Sequence, residues 1–311
     1  MNEQTVYIIG CGAIGFPLAA FLTNMGRNVV AVRSSLSLQS AHTSLITTHQ
    51  KDAITQTLVP VISLDKLADT AGVYVITSKS TANHDIAERL KTIGASGPII
   101  IMQNGLDVEA AFIERGFEDI YRTVLYFTSE TKENHNYSIK PVKASPIGIV
   151  RGSLERFNDT VSLLQNSTLT LDRTDNIAAH AWQKTIANVV FNSLCPLLNQ
   201  DNGIFHRESK AMVLADELIR ECLIVAHASG VNLEHEVIRN QVLSISKASD
   251  GILISTLQDL NAGRRTEMDY INLAIARKAN SYGLSSSVPR INLLGQLVLL
   301  KEQLGLRQEI G

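Results

Sequence analysis

The fold of the 311-residue chain is restricted above all by a glycine-rich loop near its amino end. A short β-rich run at residues 6–9 leads into Gly10-Cys11-Gly12-Ala13-Ile14-Gly15, and an apolar helical pattern follows. In a strand–loop–helix unit, the first glycine of G-x-G-x-x-G permits the tight turn and the second lets the backbone approach a pyrophosphate. The third lets the helix pack closely on the strand. The motif predicts a dinucleotide at a helix N-terminus, with a purely structural turn as the alternative.

Strand and helix patterns alternate through the first half of the chain. Helical periodicity covers residues 14–25 and 83–93, between β-rich runs at 6–9, 29–32, 73–76, 99–102 and 120–126. This alternation predicts parallel strands joined by crossover helices. A later β-rich stretch, residues 137–150, predicts an antiparallel segment at the sheet edge.

The pattern becomes helical after about residue 175. Helical periodicity covers residues 177–195, 209–228, 233–245, 267–282 and 288–304, and few β-rich runs remain. We therefore predict an α/β fold, with a mostly parallel sheet followed by an all-α domain. The predicted domains are residues 1–174 and 175–311.

Composition excludes several classes of protein. The 28 basic and 30 acidic residues give a net charge of −2, so there is no overall field to attract nucleic acid or a membrane surface. No stretch reaches the roughly eighteen apolar residues that a membrane span needs. Three widely separated cysteines form neither a metal-ligand spacing nor a disulfide framework. We expect a cytoplasmic protein without a metal site.

The residue after the second predicted strand indicates which dinucleotide is bound. NAD proteins usually carry Asp or Glu there, to accept a hydrogen bond from the ribose 2′-hydroxyl. This chain has Arg33, a donor that suits a 2′-phosphate and so favours NADP(H), unless it is a solvated surface arginine. Lys79 follows the run at 73–76 and could add a charge there, although a lone lysine is more often a surface residue. Asn104 follows the run at 99–102 in Gln103-Asn104-Gly105, as a cofactor contact or an ordinary turn.

Polar residues at helical spacing stand out in the second half. Lys184, Asn188 and Asn192 are four residues apart and share one helix face between apolar neighbours. Burying them costs free energy unless a partner satisfies them, and a ketone with a carboxylate would do so. The alternative is a solvated stripe on a surface helix. Glu267 is predicted in a first helical turn, where the helix dipole alone favours a carboxylate.

Together these residues resemble the ketopantoate reductase (2-dehydropantoate 2-reductase) family over nearly the whole chain. The helical and C-terminal motifs are more specific than the glycine loop. Beyond the loop, the matching residues are Arg33, Lys79, Gln103-Asn104-Gly105, Trp182-Gln183-Lys184 with Asn188 and Asn192, Asn202-Gly203, Ser255-Thr256-Leu257-Gln258-Asp259, and Thr266-Glu267 with Asp269-Tyr270-Ile271-Asn272. The resemblance implies an N-terminal Rossmann-type domain that binds NADP and a helical domain that binds substrate and carries the catalytic residues. It also implies NADPH-dependent reduction of 2-dehydropantoate to (R)-pantoate, in pantothenate biosynthesis.

The resemblance further implies a role for each matching residue. Lys184 is the expected general acid, and Glu267 the second catalytic residue, which contacts the ligands and orients the site. The expected substrate-binding residues are Asn188, Asn192, Asn202 and Ser255. The expected cofactor-binding residues are Gly10, Cys11, Gly12, Ala13, Ile14, Gly15, Arg33, Lys79 and Asn104.

Several residues depart from the family pattern without removing a catalytic group. They are Cys11 where alanine is common, Ala82 where a polar side chain often helps to hold the cofactor, Ser193 and Cys195 within an altered Asn-Pro-Leu-Thr segment, and Ile254 in place of a serine. Two alternatives therefore stay open: a reductase of another small 2-oxo acid, and a non-catalytic regulator that binds NADP(H). The sequence leaves the oligomeric state open, with a homodimer as one outcome.

Overall fold

A computed structural model describes residues 4–34, 40–51, 53–68, 70–133, 135–166 and 168–308. Within these ranges the chain divides into two compact units. The first comprises the described parts of Met1–Gln103 and Val108–Ile177, and the second Asn104–Asp107 with the described part of Ala178–Gly311. Asn104–Asp107 belongs to the second unit because the Leu106 N–H donates to the Tyr270 carbonyl oxygen at 2.8 Å. The predicted domains, 1–174 and 175–311, stay a prediction.

In its described residues, the first unit is built on one sheet with four helices. Its helices are α1 (Gly15–Asn24), α2 (Asn83–Thr92), α3 (Ala110–Glu114) and α4 (Leu154–Leu164). Its strands are β1 (Val6–Ile9), β2 (Val29–Arg33), β3 (His42–Gln50), β4 (Ala53–Ser63), β5 (Val73–Ile76), β6 (Ile99–Ile101), β7 (Ile120–Thr123), β8 (Phe127–Glu133), β9 (Asn136–Pro141), β10 (Ser145–Arg151) and β11 (Leu171–Arg173). Among the described residues the strand order is β11-β10-β7-β6-β5-β1-β2-β4-β3-β9-β8.

The parallel core of this sheet confirms the predicted α/β fold. β1 lies between β2 and β5, parallel to both, with Val6 opposite Val29 on one side and Val73 on the other. β5, β6 and β7 continue in parallel. Nearly all of these residues are apolar and buried, as expected for strands covered on both faces. After β1 the chain forms β2 on one side of β1, and it later forms β5 on the other side. The strand order therefore reverses at the carboxyl end of β1, which is a topological switch point.

The outer strands differ from the prediction. The hairpin of β3 and β4 was not predicted, because threonine, glutamine and histidine interrupt its apolar pattern. The stretch 137–150 is not one edge segment. It forms β9, which pairs with β3, and β10, which is antiparallel to β7 and has β11 on its outer side. The antiparallel direction was predicted correctly, because β10 is antiparallel to β7 and β9 is antiparallel to β8 at one end of the sheet.

The second unit is helical, as predicted. Its helices are α5 (Ile177–Leu198, of which Ile177 belongs to the first unit), α6 (Ile204–Arg207), α7 (Ser209–Ala228), α8 (His235–Ala248), α9 (Ser255–Asn261), α10 (Asn272–Ser281) and α11 (Pro289–Gln308). Single 3-10 turns occur at Leu64–Lys66 and Ser80–Ala82 in the first unit and at Ser285–Ser287 in the second. None of the helices in the described ranges combines the length and apolar character needed to cross a membrane.

The helix predicted from Glu267 is wrong at its start. The helix begins at Asn272, and Glu267 lies in the turns before it. The Thr266 N–H and hydroxyl both donate to the Glu302 carboxylate at 2.7 Å. The Tyr270 N–H then closes a turn on the Glu267 carbonyl oxygen at 2.9 Å. The dipole of α10 therefore does not explain a carboxylate at position 267.

We expect Gly97→Ala to destabilise the first unit. A Cβ atom at this position would overlap the Gly72 carbonyl oxygen, which belongs to the backbone and cannot move aside alone. Such overpacking typically costs about 1–3 kcal/mol, which corresponds to a drop in melting temperature of about 5 °C. Gly305→Ala in α11 is the matched control, because a Cβ atom there meets nothing within 4 Å. Thermal unfolding followed by circular dichroism compares the two variants, and equal melting temperatures would contradict this packing.

Candidate active site

The glycine loop is held by two close backbone approaches. Gly10 has a φ of +122°, and a Cβ atom on it would overlap the Ser78 nitrogen. A Cβ atom on Gly15 would overlap the Gly10 carbonyl oxygen. The Thr77 hydroxyl donates to the Gly10 carbonyl oxygen at 2.9 Å, and the Ser78 N–H donates to the Ile9 carbonyl oxygen at 3.0 Å. Gly10 and Gly15 are therefore required by the fold itself.

Gly12 differs from both neighbours in the motif. It is exposed, its φ is not positive, and a Cβ atom built on it meets nothing within 4 Å. No packing within the described part of the chain requires glycine here. The helix that follows, α1, has no side-chain cap and no acidic residue in its first turn. An open approach to an uncapped helix N-terminus is the geometry that accepts a phosphate.

Arg33 lies at the end of β2, close to this loop. Burial raises the pKa of the Cys11 thiol to about 12, and the positive charge of Arg33 opposes that rise. Arg33 is partly buried, and its Nε atom has no hydrogen-bond partner among the described residues. Lys79 follows the Thr77–Ser78 segment that packs on Gly10, and it is also partly buried. Arg33 therefore lies near the loop at residues 10–15, and Lys79 directly follows the segment that packs on the loop.

The Gln103-Asn104-Gly105 segment divides between structural and candidate functional residues. The Gln103 and Asn83 side-chain amides donate to each other at 2.7 and 2.8 Å, and Gln103 also donates to the Ser78 carbonyl oxygen. Gly105 has a φ of +97°, and a Cβ atom there would overlap the Tyr270 carbonyl oxygen. These two residues serve the fold. Asn104, between them, is partly buried and stays a predicted cofactor contact.

Lys184 and Asn188 form a partly accessible strip on the buried middle of α5. From residue 181 to 196, every residue is buried except Gln183, Lys184 and Asn188. Asn192, the third member of the line, is 1% exposed. A surface helix would expose a whole face to solvent, so the alternative of a solvated stripe does not describe this burial.

Asn192 connects three of the predicted substrate residues. Its Nδ2 atom donates to the Asn188 carbonyl oxygen at 3.0 Å. Its Oδ1 atom accepts the Thr256 N–H at 3.3 Å and the Ser255 hydroxyl at 3.5 Å. Asn188, Asn192 and Ser255 therefore lie together at the start of α9. Thr256 was not predicted, because a backbone N–H leaves no signal in the side-chain pattern.

Asn202 is buried with one polar atom unsatisfied. Its N–H donates to the Ile252 carbonyl oxygen at 3.0 Å, and its own carbonyl oxygen accepts the Ser246 hydroxyl at 2.7 Å. The side chain is 5% exposed, yet its Oδ1 atom has no hydrogen-bond partner within the described ranges. Leaving a buried acceptor unpaired costs about 1–3 kcal/mol. A ligand with a donor group would remove that cost.

Three residues that depart from the family pattern, Ser193, Cys195 and Ile254, form hydrogen bonds within the second unit. The Asn272 amide donates to the buried Ser193 hydroxyl at 2.7 Å, and the Cys195 thiol donates to the Asp201 carbonyl oxygen at 3.6 Å. Ile254 is the N-cap of α9, and its carbonyl oxygen accepts the Gln258 N–H. In the first unit, Ala82 ends the 3-10 turn before α2. In the part of the chain that the structure describes, no group of three or more His, Cys, Asp or Glu side chains could hold a metal ion.

Sequence comparison covers both units. The family described as "Ketopantoate reductase PanE/ApbA" matches residues 6–149, and "Ketopantoate reductase PanE/ApbA C terminal" matches residues 176–302. A 2-dehydropantoate 2-reductase of Pyrococcus horikoshii is 24% identical over 306 residues, which cover 96% of this chain and 98% of that protein.

Two solved structures share the fold at low sequence identity. A dimeric ketopantoate reductase from Staphylococcus aureus superposes with a TM-score of 0.80 at 20% identity, covering 97% of this chain and 100% of that one. A D-mandelate dehydrogenase solved with NADH and anilino(oxo)acetate gives 0.83 at 20% identity, covering 97% and 99%. Since the two family matches span most of both units, the chain belongs to the ketopantoate reductase PanE/ApbA family of oxidoreductases.

Proposed function

We propose that this chain reduces 2-dehydropantoate to (R)-pantoate with NADPH, a step of pantothenate biosynthesis. The observation that carries the proposal is the partly accessible strip of Lys184 and Asn188 in the middle of α5, where every other residue from 181 to 196 except Gln183 is buried. Partly accessible ammonium and amide groups on one helix face favour a ligand that offers several oxygens, such as a ketone with a carboxylate. The substrate assignment is supported by relatives named 2-dehydropantoate 2-reductase, which match over nearly their whole length.

The first unit fits a dinucleotide with a 2′-phosphate. The open position at Gly12 and the uncapped start of α1 suit the pyrophosphate, which the backbone of Gly10–Gly15 would hold. Arg33, with an unsatisfied Nε atom, receives the 2′-phosphate, and Lys79 adds a second positive charge. Asn104, which belongs to the second unit, is the proposed contact on the nicotinamide side. When bound, the nicotinamide supplies the hydride for the reduction.

Lys184 acts as the general acid. Negative charge builds on the carbonyl oxygen during reduction, and an ammonium group beside that oxygen stabilises it. Lys184 Nζ then donates its proton to the oxygen, which gives the product hydroxyl. Glu267 orients the ligands at the same site. Glu267 is partly buried in the turns before α10, and the proposed role follows the family resemblance.

The remaining polar residues hold the substrate. The bonds that Asn192 makes to Asn188 and Thr256 fix its amide, so that its second Nδ2 proton can donate to a carboxylate oxygen. Asn188 supplies further donors, and the Ser255 hydroxyl joins them when its single proton turns from the long 3.5 Å contact with Asn192 to the substrate. The Asn202 Oδ1 atom accepts the hydroxyl of 2-dehydropantoate, which satisfies this buried acceptor.

Two alternatives remain to be tested against this assignment. The first is reduction of another 2-oxo acid, since a D-mandelate dehydrogenase shares the fold. The second is a regulator that binds NADP(H) without turnover, and the Lys184 strip weighs against it because a sensor needs no proton donor. A homodimer stays a prediction for this chain, while the Staphylococcus aureus relative is described as dimeric.

We expect Lys184→Ala to lower kcat with 2-dehydropantoate by about 100-fold or more, the usual contribution of a positioned general acid. The Kd for NADPH, measured by fluorescence titration, should stay within about twofold of wild type. Lys210→Ala removes an exposed lysine from α7 and serves as the control. Wild-type turnover by Lys184→Ala would remove Lys184 from the mechanism. NADPH binding by the wild type without turnover of any 2-oxo acid would favour the regulator.

We expect Gly12→Val to weaken NADPH binding by about tenfold or more while leaving the melting temperature unchanged. The added side chain meets open space within the protein but occupies the approach of the pyrophosphate. Gly15→Ala is the contrasting variant, because its Cβ atom would overlap the Gly10 carbonyl oxygen and should lower stability as well. Wild-type NADPH affinity in Gly12→Val would argue against phosphate binding at this loop.

We expect Arg33→Asp to raise the Kd for NADPH by about tenfold or more, with little change in the Kd for NADH. The carboxylate repels a 2′-phosphate but can accept from ribose hydroxyls. Arg33→Gln removes the charge without reversing it and should give an intermediate result. Equal changes for both dinucleotides would mean that Arg33 does not contact the 2′-phosphate.

A further inference from the structure

A histidine from the outer part of the sheet lies beside the glycine loop. His135 occupies the turn between β8 and β9, where its carbonyl oxygen accepts the Thr47 N–H of β3 at 2.9 Å. Its ring packs on Phe16, the residue after the last motif glycine, with ring centroids 4.9 Å apart. A turn more than 100 residues later in the chain thus places an imidazole at the N-terminal end of α1.

His135 is close to Arg33. Burial lowers the pKa of His135, and the positive charges of Arg33 and His42 lower it further. Three groups that carry or can carry positive charge therefore influence one another: Arg33 at the end of β2, His42 at the start of β3 and His135 in the turn before β9. None of the three forms an ion pair with a carboxylate within the described ranges. Such a cluster gains free energy when an anion binds.

We propose that His135 is a second binding residue for the 2′-phosphate that Arg33 receives, and that its protonation makes the preference for NADP(H) over NAD(H) depend on pH. This inference rests on the proposed function, since it needs a dinucleotide on the glycine loop. The protonated imidazole would donate to a phosphate oxygen, while NAD(H) offers no partner there.

The direction of the pH effect follows from the charges. Without ligand, His135 has a lowered pKa and is mostly neutral near pH 7. A phosphate dianion favours the protonated ring, so binding takes up a proton. The contribution of His135 to NADP(H) affinity is therefore present at low pH, and it is lost as pH rises through the pKa of His135 in the complex.

Other titratable groups lie around His135, on the glycine loop and on β3, β8 and β9. The Cys11 thiol and the Tyr137 hydroxyl both have a pKa raised to about 12, mainly by burial, so they stay neutral. β3 contributes His42 and His49, and β8 contributes the exposed Glu130 and Lys132. The 2′-phosphate titrates with a pKa of about 6 and binds best as a dianion, so its own ionisation releases protons on binding. Proton uptake thus distinguishes His135 from the phosphate.

The test compares binding of NADP⁺ and NAD⁺ by titration calorimetry between pH 6 and pH 8.5, in two buffers of different ionisation enthalpy. The variant is His135→Asn, because the φ of 58° at this position suits asparagine and preserves the turn. We expect the Kd for NADP⁺ to rise about tenfold at pH 6 and to change little at pH 8.5. The Kd for NAD⁺ should not change, and the proton uptake seen with wild type and NADP⁺ should disappear.

Three further variants identify the titrating group. His135→Lys carries a permanent charge and should bind NADP⁺ tightly at both pH values. Lys132→Gln removes an exposed charge from the same hairpin and should behave like wild type. His42→Gln should keep proton uptake, and loss of uptake in this variant but not in His135→Asn would overturn the proposal.

The controls also separate this inference from the cofactor assignment. If the wild type binds NADP⁺ no more tightly than NAD⁺ at any pH, both proposals fail. If it prefers NADP⁺, but His135→Asn leaves the pH dependence and the proton uptake unchanged, only the role of His135 fails.

Discussion

Three backbone segments meet at the carboxyl end of β1 with no room for a side chain between them. Gly10 lies against the Ser78 nitrogen, and Gly15 lies against the Gly10 carbonyl oxygen. The Thr77 hydroxyl joins the segments with a hydrogen bond to Gly10. This contact fixes α1 over the end of the parallel strands. Arg33 lies near the loop that this contact holds, and the ring of His135 packs on Phe16 in the first turn of α1.

The second unit uses hydrogen bonds where the first uses close packing. Asn192 is fixed by bonds to Asn188 and to the start of α9, and Ser193 beside it is fixed by Asn272 at the start of α10. These bonds orient one face of α5 before any ligand binds. Preorganised polar groups of this kind lower the cost of stabilising charge in a transition state. The Asn202 Oδ1 atom is buried without a hydrogen-bond partner among the described residues.

The sequence predicted the secondary structure correctly where the pattern depends only on residues close together in the chain. The four parallel strands that begin at residues 6, 29, 73 and 99 were predicted closely, because continuous β-branched runs are typical of strands buried on both faces. The spacing of Lys184, Asn188 and Asn192 predicted one face of α5, since helical periodicity also depends only on neighbours.

Features that depend on contacts between residues far apart in the chain were not predicted. The turns at Glu267 depend on Thr266 and Glu302, which are 36 residues apart, so the local pattern predicted a helix instead. The amide pair of Gln103 and Asn83 and the contact of His135 with Phe16 also join distant parts of the chain. The β3–β4 hairpin was missed because β-propensity depends strongly on neighbouring strands.

The decisive measurement is a matrix of initial rates, with 2-dehydropantoate and 2-oxo-2-phenylacetate as substrates and NADPH and NADH as reductants. Reduced-cofactor absorbance gives kcat/KM for each combination under the same conditions. We predict the highest kcat/KM for 2-dehydropantoate with NADPH. A higher value for the aromatic acid, a preference for NADH, or no oxidation of either cofactor would contradict the assignment.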